Sequence, residues 1–132
     1  MTKKGFVASS FDILHAGHCL MLQDASRQCD HLIAAIQTDP TIDRPEKNKP
    51  IQSLPERMIQ LEAIRWIDEV VVYNTEAELV EWLKILKPHV RILGSDYKDK
   101  NFTGMDLDIE IYYHDRSHDW STTSLRDKIK IN

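Results

Sequence analysis

Ser9-Ser10-Phe11-Asp12-Ile13-Leu14-His15-Ala16-Gly17-His18 decides how the rest of the chain is read. Before it, Lys3 to Ser9 holds the apolar core Phe6-Val7-Ala8 and reads as a first buried strand. After it, from His18 to Cys29, Leu22 and Ala25 fall on one side and Gln23, Asp24 and Arg27 on the other, which is the spacing of a helix. The stretch is therefore a strand-to-helix loop, with two imidazoles placed across a glycine where the helix begins. A helix N-terminus offers unpaired N–H groups and partial positive charge, a setting suited to phosphate. Glycine allows close backbone approach. Two histidines on the first turn can donate hydrogen bonds to a phosphoryl group as negative charge builds in a transition state. On the residues alone, two other readings stay open. The histidines can be capping or solvent-facing groups, or zinc ligands, although no third or fourth ligand stands at motif spacing and Cys19 adjoins His18 directly.

Working outward, His31-Leu32-Ile33-Ala34-Ala35-Ile36 is a continuous apolar run closed by Thr38-Asp39-Pro40, the pattern of a strand covered on both faces. Residues 39–52 are polar, with Pro40, Pro45 and Pro50, and read as a flexible loop carrying Lys47 and Lys49. Ser53-Leu54-Pro55-Glu56 is a capping-box pattern that opens a helix with Met58, Leu61 and Ile64 turned inward. Glu69 to Tyr73 is a third strand. Thr75-Glu76-Ala77-Glu78 repeats the capping pattern before Leu79, Trp82, Leu83 and Leu86, and Lys87-Pro88 stops that helix. Val90 to Gly94 and Ile109 to Tyr113 are the fourth and fifth strands. A last helix begins near Ser121 and is expected to bury Leu125 and Ile129. Strands that alternate with crossover-length helices predict a three-layer α/β fold with a mostly parallel five-stranded sheet. Ligands then belong beyond the carboxyl ends of the strands.

Composition sets the bounds. The chain has 132 residues, 42% hydrophobic and 29% charged, which fits one globular domain over residues 1–132 and excludes a disordered polymer. No apolar run is long enough for a membrane helix, and the start resembles no secretory leader. Cys19 and Cys29 are too few for a disulfide framework and read as free thiols in a reducing cytoplasm. A net charge of −4 argues against general nucleic-acid binding and leaves room for a local basic pocket. Trp66, Trp82 and Tyr73 supply apolar surface for either core or a dimer contact.

A second constellation stands near the C-terminus: Arg116-Ser117-His118-Asp119-Trp120-Ser121-Thr122-Thr123. Ser121, Thr122 and Thr123 are good caps with hydroxyl donors at a helix start, and Arg116 can make a forked contact to phosphate. Alone, the three hydroxyls are an N-cap. Paired with the histidine loop, they read as a phosphate site.

Phe11-Asp12-x-x-His15-x-Gly17-His18 resembles the signature of the cytidylyltransferase-like nucleotidyltransferases, whose core is a short Rossmann-like domain. The Arg116 to Thr123 stretch is similar to the segment that opens the last helix in the glycerol-3-phosphate cytidylyltransferases. Lys47, Lys49, Arg57 and Gly94-Ser95-Asp96-Tyr97 also stand where the family carries like residues. The resemblance implies attack by a phosphate oxygen of a small phosphorylated acceptor on the α-phosphate of CTP, releasing pyrophosphate. It implies that His15 and His18 stabilise the transition state and that Lys47 and Lys49 hold attacking or leaving phosphates. Ser10, Phe11, Gly17 and Asp96 would line the nucleotide, with Arg116, Ser121, Thr122 and Thr123 on its β- and γ-phosphates. Asp12 and Arg57 would face the acceptor. Mg²⁺ is expected with the triphosphate, held by phosphates and water with little protein ligation, and family members are commonly homodimers.

Three departures bear on the substrate: Ser9 replaces the usual glycine, Asp119 puts a carboxylate near the phosphate segment, and no lysine opens the helix after Thr75. The same motifs are equally similar to the heptose-phosphate nucleotidyltransferases. Glycerol 3-phosphate with CTP is the leading expectation, and a sugar phosphate with ATP or another triphosphate is the alternative. A non-catalytic nucleotide-binding module is a third reading, which two intact histidines count against. For a fragment of a class I aminoacyl-tRNA synthetase, the chain is too short and too acidic.

Overall fold

In the computed structural model, which describes residues 2–131, strands and helices alternate. They run β1 Lys4–Ser9, α1 Ala16–Ser26, β2 His31–Gln37, α2 Leu54–Glu62, β3 Glu69–Tyr73, α3 Glu76–Leu86, β4 Val90–Gly94, β5 Glu110–His114 and α4 Thr122–Ile131. The sheet order is β3-β2-β1-β4-β5 and every pairing is parallel. β2 is apolar on both faces because both are covered, as the unbroken run Leu32 to Ile36 requires. On one face Val7, Leu32, Ala34 and Ile36 pack with Leu22 and Ala25 of α1 and Leu61 of α2. On the other, Phe6, Ile33, Ala35 and Val71 meet Leu79 and Leu83 of α3. Helices thus cover both sides, giving the expected three layers. None of the described helices is long and apolar enough to cross a membrane.

Local chemistry sets the boundaries. α1 begins at Ala16, earlier than the apolar pattern shows, because His15 caps it. Ser53 and Glu56 form both arms of a capping box on α2. On α3 only one arm forms: Thr75 accepts from the Glu78 N–H, whereas the Glu78 carboxylate accepts from the N–H of Asn74. Within the loop read as flexible, Pro40–Ile42 is a short 3₁₀ turn capped by Asp39. α4 departs from expectation. Leu125 is half-buried, but Ile129 is 60% exposed. The inward contacts of this helix are polar ones, from Thr122 and Arg126 to Asp12, and beyond them the helix runs out into solvent. Tyr73 is buried, Trp82 donates its indole N–H to the Val72 carbonyl at 2.9 Å, and Trp66 packs on the α1–α2 side. Tyr73 thus belongs to the core, and Trp66 and Trp82 pack against it partly buried.

Arg57, on the second turn of α2, is 2% exposed. Its guanidinium donates to the carbonyls of Ser10 (2.9 Å), Gln37 (2.6 Å), Thr38 (2.7 Å) and Gln52 (3.1 Å). It therefore ties the carboxyl ends of β1 and β2 to the start of α2. These donors are committed to backbone carbonyls that would otherwise be left unpaired under the loops. Burial pulls its pKa below the ordinary arginine value, while Asp12 and Asp39 oppose that pull. Arg57→Leu is expected to cost about 3 kcal/mol or more, read as a lower urea midpoint. A loss under about 1 kcal/mol would show that the loops hold without the clamp.

Candidate functional site

The β1–α1 loop is held in a conformation its sequence does not favour. Phe11 and Ile13 both have φ of 49°, the left-handed region, and for a β-branched isoleucine that is costly. The surroundings over-determine it. The Phe11 ring is buried in the core, its N–H donates to Ser9 Oγ (3.2 Å), and the Ile13 N–H donates to Gln52 Oε1 (2.9 Å). Asp12 is buried between them. It accepts from the N–H groups of Ile51 (2.8 Å) and Gln52 (3.0 Å) and from Arg126 Nη2 (2.6 Å). Burial works to raise the Asp12 pKa, but the backbone donors and Arg126 outweigh it and hold the carboxyl below its ordinary value. Ser9, in the place of the usual glycine, thus occupies the Phe11 N–H, which is not free to serve a phosphate cradle.

At the start of α1 the two histidines cap one another. His15 Nδ1 accepts from the N–H groups of Gly17 (3.0 Å) and His18 (3.4 Å), and His18 Nδ1 accepts from the N–H of His15 (3.4 Å). Both Nδ1 atoms are acceptors, so each neutral ring carries its proton on Nε2. His15 Nε2 lies 3.1 Å from Thr122 Oγ1, which in turn donates to the Asp12 carbonyl at 3.3 Å. The rings stack with centroids 3.9 Å apart. Burial, with Arg116 and His118 nearby, lowers the His15 pKa. His18 falls to about 3 through burial and the charges of His15 and Arg116, against weaker opposition from Asp12. At neutral pH both are uncharged hydrogen-bond donors. Gly17 is needed for packing: a Cβ there would strike the Trp120 carbonyl and the His15 ring.

The C-terminal segment meets this pair from the other side. Gly94 leaves room for the Arg116 side chain, whose backbone N–H donates to Ser95 Oγ (3.1 Å) and whose Nη1 makes a long contact to Asp96 (3.4 Å). Ser121 Oγ accepts from the Ser124 N–H at 3.0 Å and so caps α4. Sequence reasoning missed the chain that anchors this loop. The Trp120 N–H donates to His118 Nδ1 (3.0 Å), leaving His118 Nε2–H to face His114 Nε2 (3.4 Å). His114 Nδ1–H then donates to Asp24 (2.9 Å), which also accepts from the Tyr112 hydroxyl. Their wide sequence separation hides this network.

These elements line a cleft of about 830 Å³ at the carboxyl ends of the strands. Ser10, Asp12, His15, Gly17, His18, Lys47, Arg116, Ser121, Thr122 and Thr123 all reach it. Phe11 and Arg57 lie beneath it, and Lys49 and Asp96 are exposed outside its lining. Arg126, Arg44, Tyr73, Glu76 and Arg91 also line it and were not anticipated. Arg91 alone left a trace in the sequence, as a charge inside an otherwise apolar strand. Among the described residues no group of three His, Cys, Asp or Glu side chains is placed to hold a metal ion.

A sequence model of the cytidylyltransferase-like family matches residues 6–128. The chain is 34% identical over 126 residues to the bifunctional protein HldE of Campylobacter jejuni strain 81116, covering 95% of this chain and 27% of that one. To the protein of the same name from Gluconacetobacter diazotrophicus it is 37% identical over 106 residues, covering 78% and 21%. It thus spans about a quarter of the length of the curated relatives it matches. Among solved structures, a lipopolysaccharide core biosynthesis protein of Thermoplasma volcanium superposes with a TM-score of 0.65 at 21% identity, covering 98% of this chain and 88% of that one. A pantoate-beta-alanine ligase of Francisella tularensis gives 0.60 at 18% identity, covering 98% and 70%. Both share the fold.

Because His18 is held neutral when folded and titrates near its ordinary value of 6.5 when unfolded, the unfolded chain binds the extra proton below that value. Its contribution is full above pH 6.5 and is lost on acidification toward 3. Urea unfolding at pH 7 and pH 5 should show about 2 kcal/mol of loss from this group alone. His18→Asn should flatten the difference. An unchanged slope in that variant would overturn the assignment.

Proposed function

The chain belongs to the cytidylyltransferase-like family and is a nucleotidyltransferase, and from that premise we propose that it transfers a nucleotidyl group from a nucleoside triphosphate to the phosphate of a small phosphorylated sugar. The observation that carries the reading is the mutually capped histidine pair, whose two Nε2–H donors enter a cleft shared with Arg116 and the hydroxyls of α4. An acceptor phosphate oxygen attacks the α-phosphorus. The bond to the bridging oxygen breaks, and its electron pair leaves on pyrophosphate. His15 and His18 donate hydrogen bonds to the non-bridging oxygens and transfer no proton. Their tautomer is already set, so little reorganisation accompanies the charge that develops. Arg116, held only by a long contact to Asp96, turns to the β- and γ-phosphates with Ser121, Thr122 and Thr123. Lys47 brings a further positive charge from the facing loop, and Lys49 follows if that loop closes. Mg²⁺ would come with the triphosphate on its own oxygens and water, and no step here is routed through it.

Glycerol 3-phosphate with CTP is the pair that the glycerol-phosphate resemblance names. The first turn of α3 favours a sugar phosphate instead. It carries Glu76 in the cleft where those enzymes tend to place a lysine, and a carboxylate accepts hydroxyls and repels phosphate. We place the reaction in the cytoplasm, in a homodimer, with neither nucleic acid nor a membrane as partner.

The test is pyrophosphate release from CTP, ATP, GTP and UTP, each against hexose and heptose phosphates, glycerol 3-phosphate and phosphocholine. Turnover with a sugar phosphate is expected, with His15→Ala and His18→Ala each about 10²- to 10³-fold slower. Activity should not fall between pH 7 and pH 8, because both imidazoles, with pKa values lowered from 6.5, are already neutral across that range. Turnover with CTP and glycerol 3-phosphate alone would move the acceptor. A folded wild type that binds nucleotide but releases no pyrophosphate with any pair would leave a binding module.

A further inference from the structure

α1 carries the histidine pair at its start and a second fixture, Asp24, six residues past His18. A helix rises about 1.5 Å per residue, so the two lie about 9 Å apart along one rigid rod. The Asp24 carboxylate accepts from His114 Nδ1–H at 2.9 Å and from the Tyr112 hydroxyl at 3.1 Å, both on β5. His114 is only 6% exposed. With its proton committed to Asp24, its Nε2 is left as an acceptor and faces His118 Nε2–H at 3.4 Å. His118 Nδ1 in turn accepts from the Trp120 N–H at 3.0 Å, and its ring stacks on that of Trp120 with centroids 5.5 Å apart. Acceptor and donor thus alternate without a break from the carboxylate to the backbone of residue 120. The loop at the end of this tether needs holding. Asp119 has a φ of 65°, in the left-handed region that glycine takes freely. Arg116 is exposed and its guanidinium meets only Asp96, at long range, so its backbone decides where it can reach. The Trp120 carbonyl packs on Gly17, between the two histidines, where a Cβ would strike it.

We propose that Asp24, His114 and His118 are positioning residues for the triphosphate: acting through Trp120, they hold Arg116 and the α4 hydroxyls in register with the histidine pair. The proposal rests on the nucleotidyl-transfer reading, because it needs a triphosphate to grip. None of the three is assigned a contact with the reacting atoms. The α-phosphate meets His15 and His18 on α1 itself, whereas the β- and γ-phosphates meet a segment that has to be brought to α1. After Trp120 that segment is fastened by Thr122 and Arg126 to Asp12. Before Trp120 it is fastened by the tether to Asp24 and by the Arg116 N–H on Ser95 Oγ. The two groups of phosphate donors are thereby referred to the same helix, at two points a fixed distance apart. A carboxylate suits the head of the tether because it only accepts, which fixes the direction of every bond after it. Cutting the tether leaves the histidines in place and frees the turn that aims Arg116, so the loss falls on the terminal phosphates.

Calorimetry on the full chain, with Mg²⁺ present, compares ATP with AMP and CTP with CMP for wild type, His118→Asn and Asp24→Ala. His118→Asn keeps a side-chain acceptor two residues before the Trp120 N–H, as asparagine does in an Asx turn, but is too short to reach His114. Wild type should bind at least one triphosphate about tenfold or more tighter than its monophosphate, the excess being the grip on the two terminal phosphates. Both variants should cut that ratio to within about threefold, with monophosphate affinity held within about twofold of wild type. A wild-type ratio in His118→Asn would show that the local turn suffices and overturns the proposal, as does an unchanged ratio in Asp24→Ala. Equal losses for triphosphate and monophosphate would make the tether a support of the fold alone, and also overturn it. So does a wild type that holds both alike, which leaves no grip to position. Far-ultraviolet circular dichroism checks the fold of each variant, and His118→Asn decides alone should Asp24→Ala misfold. Pyrophosphate release by wild type is scored apart: its absence alongside the expected ratios would sink the transfer reading and keep the positioning role.

Discussion

His15 uses one ring nitrogen to build the fold and turns the other toward Thr122 and the cleft. By accepting from the N–H groups of Gly17 and His18, its Nδ1 satisfies donors that every helix start leaves unpaired. That bond leaves the proton on Nε2, directed at Thr122 and the cleft. His18 repeats the arrangement in reverse, so each imidazole sets the tautomer of its site by the cap it makes for the other. Charge state follows from the same geometry. A proton on either Nδ1 would break a cap and place a cation in a buried stack beside Arg116.

Two arginines keep that arrangement in place. Arg57 gathers the carbonyls at the ends of β1 and β2, and Arg126 reaches from α4 to the Asp12 carboxylate. Between them the left-handed Phe11 and Ile13 are fixed, which aims the loop at the helix start. Arginine suits both posts, since its planar fork serves several acceptors at once and keeps its charge under burial. The strain of the loop is spread over the core ring of Phe11, the Asp12 contacts and the Gln52 side chain, which come from distant parts of the chain.

The cleft also separates its tasks by charge. Around the histidines the groups are donors, hydroxyls and cations, which suit anionic oxygens. At the far end the Glu76 carboxylate pairs with the Arg44 guanidinium.

By itself the sequence determined the order of strands and helices, their parallel packing in three layers and the phosphate-suited helix start. These are local properties: apolar periodicity, the caps at Ser53 and Thr75, and the spacing of His15, Gly17 and His18. It also placed Arg116, Ser121, Thr122 and Thr123 at the site, because they sit at another helix start on the same edge of the sheet. Tertiary structure decided the tautomers, the committed donors of Arg57, the Asp24–His114–His118 chain and the pairing of Arg44 with Glu76. It also turned Ile129 outward and drew Tyr73 into the core, with Trp82 packed against it. Periodicity records which face of an element is apolar. Which partner a polar group meets depends on residues tens of positions away, brought together only when the sheet closes its layers.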